Sequence, residues 1–143
     1  AEAVARGLSG ESSEVIVENG GDLYLIGKHE RTVLLSAGDS PLSEWVALVV
    51  SAAMQPVAVC TSSAKVGPSL SYGSAHAVTI IAENGALADA AASSVGNIVH
   101  GPGDITAGLE RAKGTPGVLG AAIIAGDRIG ATGLARLAPV PRG

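Results

Sequence analysis

With no phenylalanine, one tryptophan and two tyrosines in 143 residues, this chain has almost nothing large and flat to place inside. Yet 47% of its residues are hydrophobic, too many for a chain that stays disordered. Its interior must be built from Ala, Val, Ile and Leu. Twenty glycines accompany them, and glycine lets backbones approach closely. Such a core has little volume per residue. It implies thin, closely spaced layers, or a core completed by another copy of the chain in a homo-oligomer. The length is that of one domain and suffices for a core of its own.

Charge and length exclude several classes. The formal net charge is −4, no basic stripe exists, and few aromatic rings are present to stack on bases. Nucleic-acid binding is not expected. The longest apolar run, WVALVV at 45–50, falls far short of the roughly 20 residues a membrane-spanning helix needs. The single cysteine, Cys60, cannot form an internal disulfide and reads as a small buried hydrophobe. No signal peptide is visible after the opening AEAVARG, and a cytoplasmic location is the default expectation.

The hydrophobic pattern predicts an α+β chain. AEAVARGL has helical spacing. EVIVE and DLYLIG read as strands around NGG, a hairpin signal because Asn and Gly tolerate positive φ. RTVLLS reads as a third antiparallel strand. The Val-rich centre of EWVALVVSA favours strand over helix, and PVAVC is a short strand. It runs into TSSAKVGPSLSYGS, a long loop without periodicity. HAVTIIA is another strand. ENGALADAAASSVGNIV is the best helix, with Asn84 as its cap, and GPG stops it. DITAGLERAK is a second helix with Asp104 at its start. GTPGVLGAAIIAGDRIGATG is a hairpin turning at AGDR, and LAPVPRG is a tail. Antiparallel strand runs with sequence-adjacent helices fit α+β better than α/β. The expected architecture is an antiparallel sheet with helices packed on one face.

Three stretches carry chemistry. Asp89, within ALADAAASS at 86–94, reads as a carboxylate on a buried helix, where an unpartnered charge would be costly. Ser93 lies one turn on and shares its face. Two hard oxygens so placed suit Mg²⁺ or Ca²⁺, with water or substrate phosphate completing the shell. The competing reading is that Asp89 bonds nearby backbone amides. CTSS, with Thr61, Ser62 and Ser63, offers hydroxyls and amides to an anion, or is an ordinary serine-rich turn. In NGGD, Gly20 and Gly21 allow close approach to a flat ligand, with Asp22 beside it; a hairpin turn accounts for the same glycines. No complete dinucleotide fingerprint, P-loop or nucleophile elbow is present. His29, His76 and His100 are scattered and read as surface or strand residues.

NGGDLYL, VCTSS and VTIIAENGALADAAASSVGN, in this order, resemble the ApbE-like superfamily, whose best-known members are FAD:protein FMN transferases. GDSPLS and CTSSAKVGPSLSYGSAHAVTIIA strengthen the likeness to a bacterial and archaeal subgroup. The resemblance implies a T-fold, FAD binding and a divalent metal. It assigns Asp89 and Ser93 to the metal, with Ser93 where the family has Thr. It assigns Gly20, Gly21, Asp22, Thr61, Ser62 and Ser63 to the flavin cofactor. It also implies a longer N-terminal portion, consistent with a first helix that lacks an N-cap residue. The transferases' His…Asp-Pro segment has no counterpart in KVGPSLSYGSAHAVT.

Three function classes follow. The first is a flavin transferase in which Mg²⁺ on Asp89 and Ser93 neutralises charge at the FAD pyrophosphate; its general base is unassigned, with Asp22 a candidate. The second is a module of the same fold that binds a small molecule, such as a flavin or related nucleotide, in a pocket under TSSAKVGPS, without flavin transfer. The third is a structural protein whose small-residue faces pack on a partner.

Overall fold

The computed structural model describes residues 1–65 and 75–141. Among these described residues, nine strands and three α-helices form a mixed α+β fold in which every strand pairing is antiparallel. In chain order these are α1 (Glu2–Leu8), β1 (Val15–Asn19), β2 (Asp22–Ile26), β3 (Arg31–Leu34), β4 (Val46–Val50), β5 (Val57–Lys65), β6 (Ala75–Ala82), α2 (Gly85–Gly96), α3 (Ile105–Lys113), β7 (Val118–Ala125), β8 (Arg128–Gly133) and β9 (Arg136–Pro139). A six-stranded sheet runs β1-β2-β5-β6-β7-β8, and a three-stranded sheet runs β3-β4-β9.

The helices cover one face of the large sheet and the small sheet lies against the other. Strand periodicity sorts the side chains. Tyr24, Ala58, Cys60, Val78, Ile80 and Ile123 join Ala88, Ala92 and Val95 of α2 in one core. Leu25, Val57, Val59, Ile81 and Ile124 join Leu48 and Val50 of β4 in the other. Because both faces are covered, the first half of β5 (57–60) and most of β6 read as nearly continuous apolar runs although the sheet is antiparallel. The layers are as close as the composition implies. A Cβ on Gly108 of α3 would come within 2.7 Å of Ile123 Cδ1 and 2.8 Å of Val99 Cγ2.

Most expected elements are present. The hairpin turns at Gly20, whose φ is +63°, and Asn84 caps α2 by accepting the Leu87 N–H at 2.8 Å. The strand from Arg31 is antiparallel as read, and its partner is β4 in the second sheet. Three readings need correction. PVAVC does not end at Cys60: β5 continues to Lys65, pairing with β6 throughout, so Thr61, Ser62 and Ser63 lie in a strand. The rest of the expected long loop, 66–74, lies outside the described residues. The supposed tail contains β9, which pairs with β4. Finally, Asp89 is exposed on α2. The helix buries Ala88, Ala91, Ala92 and Val95, and Asp89 lies off that face.

Among the described residues, no helix is long and apolar enough to cross a membrane.

Candidate functional site

The β1–β2 hairpin and the middle of β5 position every residue of the NGGD and CTSS motifs. Gly20 supplies the left-handed turn. Gly21 is needed for a different reason: a Cβ there would lie 2.5 Å from the Thr61 carbonyl oxygen. The Thr61 N–H in turn donates to the Gly21 carbonyl at 2.8 Å. The glycine pair thus seats the hairpin end on β5.

Alternation then divides the site residues between two cavities. On the face of the small sheet, Gly20, Gly21, Thr61 and Ser63 line a cavity of about 700 Å³. Its other walls are Ile16 and Glu18 of β1, Leu23, Leu25 and Val59 of the large sheet, and Arg31–Leu34 of β3 with Ser36. Thr61 shares a 2.9 Å hydroxyl–hydroxyl bond with the buried Thr79. On the helix face, Asp22, Cys60 and Asp89 line a smaller pocket of about 260 Å³, with Glu2, Tyr24 and Gly85. Ser62 belongs to neither set of walls; its Oγ lies 3.3 Å from where a Cβ on Gly96 of α2 would stand. Ser93 is exposed on α2 and is absent from the pocket wall that Asp89 joins. The sequence-assigned cofactor residues are therefore not one surface, and the metal pair Asp89–Ser93 does not converge on one cavity.

The smaller pocket is acidic but largely committed. Glu2 accepts the Gly85 N–H at 2.6 Å and the Arg6 Nε–H at 2.7 Å. These bonds, the backbone one foremost, lower its pKa, as expected for a carboxylate at a helix N-terminus. The Cys60 thiol is 2% exposed. Burial first, then its hydrogen bond to Asp22 and the charges of Asp22 and Asp89, push its pKa up to about 12. It stays a thiol near neutral pH and is not an activated nucleophile.

Among the described residues, few donors converge on the smaller pocket. Asp22 and Asp89 supply hard oxygens, which suit Mg²⁺ or Ca²⁺. Glu2 is held by Gly85 and Arg6, and Ser93 stands outside the pocket wall. Among the described residues no group of three or more His, Cys, Asp or Glu side chains is placed to hold a metal ion.

Sequence reasoning missed Arg31 and Glu18, which line the larger cavity. Arg31 is positioned by Glu14, which accepts from His29 Nδ1 at 2.6 Å, Lys28 N–H at 2.8 Å and Arg31 Nη2 at 3.3 Å. The Lys28 amide and His29 do most to lower the Glu14 pKa, to about 2. No motif marks this cluster, because its members meet only when β3 leaves the hairpin. His76 is buried on β6, its Nδ1 without a hydrogen bond. Burial, reinforced by nearby His100, lowers its pKa. It is a strand histidine, as its sequence context implies, and it is buried.

Comparison with known proteins gives the family. A family model described as "AbpE bacteria" matches residues 1–116, and the chain belongs to that family. It is 40% identical over 119 residues to a UPF0280 protein of Methanosarcina barkeri, covering 82% of this chain and 47% of that protein. A UPF0280 protein of Methanothermobacter thermautotrophicus is 40% identical over 122 residues, with the same coverages. One from Methanosphaerula palustris is 43% identical over 114 residues, covering 80% of this chain and 47% of the relative. The chain thus spans about half the length of these relatives. The family match corrects the resemblance drawn from the motifs: it leads to UPF0280 proteins, and not to the FMN transferases.

Proposed function

We propose that this chain binds a small organic ligand in the cavity between the β1–β2–β5 end of the large sheet and β3. The observation that carries this reading is the convergence of Gly20, Gly21, Thr61 and Ser63 on one cavity of about 700 Å³. That volume lies within the range of known ligand sites, roughly 300–1,000 Å³. The walls have the composition such sites need: Leu23, Leu25, Val33 and Val59 offer an apolar bed, and hydroxyls and backbone groups sit at one end. A flat heterocycle, the ligand shape that the glycines of NGGD admit, is the first probe to try.

The geometry favours binding over metal-assisted flavin transfer. A cation on Asp89 would sit on the helix face, with β2 and β5 between it and the cavity that Thr61 and Ser63 line. A ligand held by those hydroxyls would not meet it. No catalytic step is assigned to Asp89 or Ser93, and Asp22, beside an elevated thiol and away from the large cavity, is not assigned as a base.

Backbone amide NMR tests the reading. The chain is titrated with FMN, riboflavin and a set of aromatic fragments, with Mg²⁺ and with chelator. Shifts that cluster at Gly20, Gly21, Thr32, Ser36 and Thr61, indifferent to Mg²⁺, are expected. Shifts confined to the Asp22–Asp89 pocket, or dependent on Mg²⁺, would overturn it. So would a full probe set that leaves the cavity amides unmoved. Assay for AMP released from FAD separates binding from transfer, and no release is expected.

A further inference from the structure

We infer that the ligand of the large cavity is an organic anion, and that Arg31 receives its carboxylate or phosphate; the inference rests on the reading of that cavity as a ligand site. Among the described residues, Arg31 is the one cationic side chain in its walls. Its guanidinium is only partly used. Nη2 reaches Glu14 at 3.3 Å, the longest of the three contacts that carboxylate makes. Glu14 is held independently by the Lys28 amide and His29. The Arg31 side chain is 38% exposed, although its Nε is enclosed by protein and has no hydrogen-bond partner. A guanidinium is built to give parallel N–H bonds to a carboxylate or phosphate. An anion at this end of the cavity meets that exposed, loosely paired side chain.

The cavity is also polarised along β1. Arg31 stands beside Glu14, just before β1. Glu18 of the same strand lines the far end, near Gly20, Gly21 and Ser63. Four residues of extended chain separate Glu14 from Glu18, about 13 Å at the usual strand rise of roughly 3.3 Å per residue. Glu18 repels an anion from its end and favours hydrogen-bond donors there. Ile16 and Leu34, 50% and 46% exposed, flank the middle. The ligand is thus elongated, with its anionic group at Arg31, an apolar body and donor groups towards Glu18.

Matched probes test this. 2-Naphthoate is compared with 2-naphthamide, and 2-naphthyl phosphate with 2-naphthol, by amide NMR of the whole chain. Each anion is expected to bind the cavity at least about tenfold more tightly than its neutral partner, with the largest shifts at Arg31, Thr32 and Val33. Preference for naphthoate over naphthyl phosphate identifies a carboxylate ligand, and the reverse a phosphate ester. Arg31→Gln is expected to erase the tenfold preference, and Arg31→Lys to keep part of it. Equal binding of anion and neutral partner, or a preference that survives Arg31→Gln, overturns the inference while leaving the cavity a ligand site. No cavity shift with any of the four probes would instead count against the ligand site itself. Should Arg31→Gln fail to fold, salt decides: the wild-type preference must shrink as ionic strength rises, and a salt-independent preference overturns the assignment.

Discussion

Strands β2 and β5 present two unlike faces built from alternating residues. Towards the helices they show Asp22, Tyr24, Ala58, Cys60 and Ser62; towards the small sheet, Leu23, Leu25, Val57, Val59, Thr61 and Ser63. The helix face is nearly full. Glu2 is tied to a helix N-terminus, and Asp22 lies beside a buried thiol. The other face opens, because β3 crosses to the second sheet and leaves room beneath it. Residues adjacent in sequence therefore serve different surroundings. Asp22 and Gly21 are neighbours, yet one lines the acidic pocket and the other the large cavity. A motif such as NGGD or CTSS, read as a unit, merges what the pleat separates.

The hardest way to break this division is at the seat of the hairpin. Gly21→Ala puts a methyl 2.5 Å from the Thr61 carbonyl oxygen, a rigid backbone atom. The hairpin end must lift from β5. A loss of about 1–3 kcal/mol is expected, measurable by urea unfolding, together with altered amide shifts around the large cavity. Wild-type stability in this variant would mean that the hairpin end is not seated as described.

On the helix face the corresponding probe is smaller. Tyr24 is fully buried, and its oxygen accepts from Arg6 Nη2 at 2.7 Å. Tyr24→Phe removes that bond but keeps the ring, over which the guanidinium lies 5.3 Å from the centroid. Arg6 is exposed and regains water, so a cost of about 1 kcal/mol is expected. Ligand binding in the large cavity should not change. If probe affinity there fell with Tyr24→Phe, the two faces would be coupled through the sheet and the division would fail.

Much of this fold was legible beforehand, for reasons that also explain the failures. The first hairpin, β6 and the β7–β8 hairpin were legible because local turn chemistry and apolar runs agree. The cap at Asn84 was legible because its partner, Leu87, is three residues away. β9 was not, because its pairing with β4 joins residues about 90 positions apart. The extension of β5 was hidden by hydroxyls. Thr61 and Ser63 face a cavity and Ser62 a helix glycine, so no apolar alternation marks the strand. Asp89 misled because alanine carries little directional signal: Ala86 and Ala90 are exposed while Ala88, Ala91 and Ala92 are buried. Of the large cavity's walls, Gly20, Gly21, Thr61 and Ser63 were singled out by the NGGD and CTSS motifs, but Arg31 and Glu18 needed the tertiary fold.

Acid titration sharpens the cavity side. The Glu14 carboxyl falls to about 2 from an ordinary 4.5, through the Lys28 amide, His29 and Arg31. A value depressed by folding means that the native state favours the ionised form. Its contribution to stability is complete above about pH 4.5 and is lost as pH falls towards 2. Glu14→Gln removes the charge. The stability gap between wild type and variant should therefore be constant from pH 6 to about 5, shrink between 4.5 and 2, and vanish below. A gap that persists at pH 2 would place the effect in packing and not in the ionised cluster.

The gentlest test reads the acidic pocket through its thiol. Asp22 raises the Cys60 pKa by both a hydrogen bond and its charge, whereas Asp89 acts by charge alone. With the thiol held near 12, the Cβ chemical shift of Cys60 should show no thiolate up to pH 10 in the wild type. Asp22→Asn should bring the thiol titration clearly downward, and Asp89→Asn should bring it down less. Because Asp89 is exposed, its replacement should leave stability within about 0.5 kcal/mol. The ordering is the informative part. An Asp89 effect equal to or larger than that of Asp22 would mean that α2 brings its carboxylate deeper over β5 than the pocket geometry has it. Asp89 would then be the buried charge its sequence first implied. The expected ordering makes it a surface carboxylate that reaches the thiol only through its field, and leaves the proposed ligand cavity to the opposite face of the same two strands.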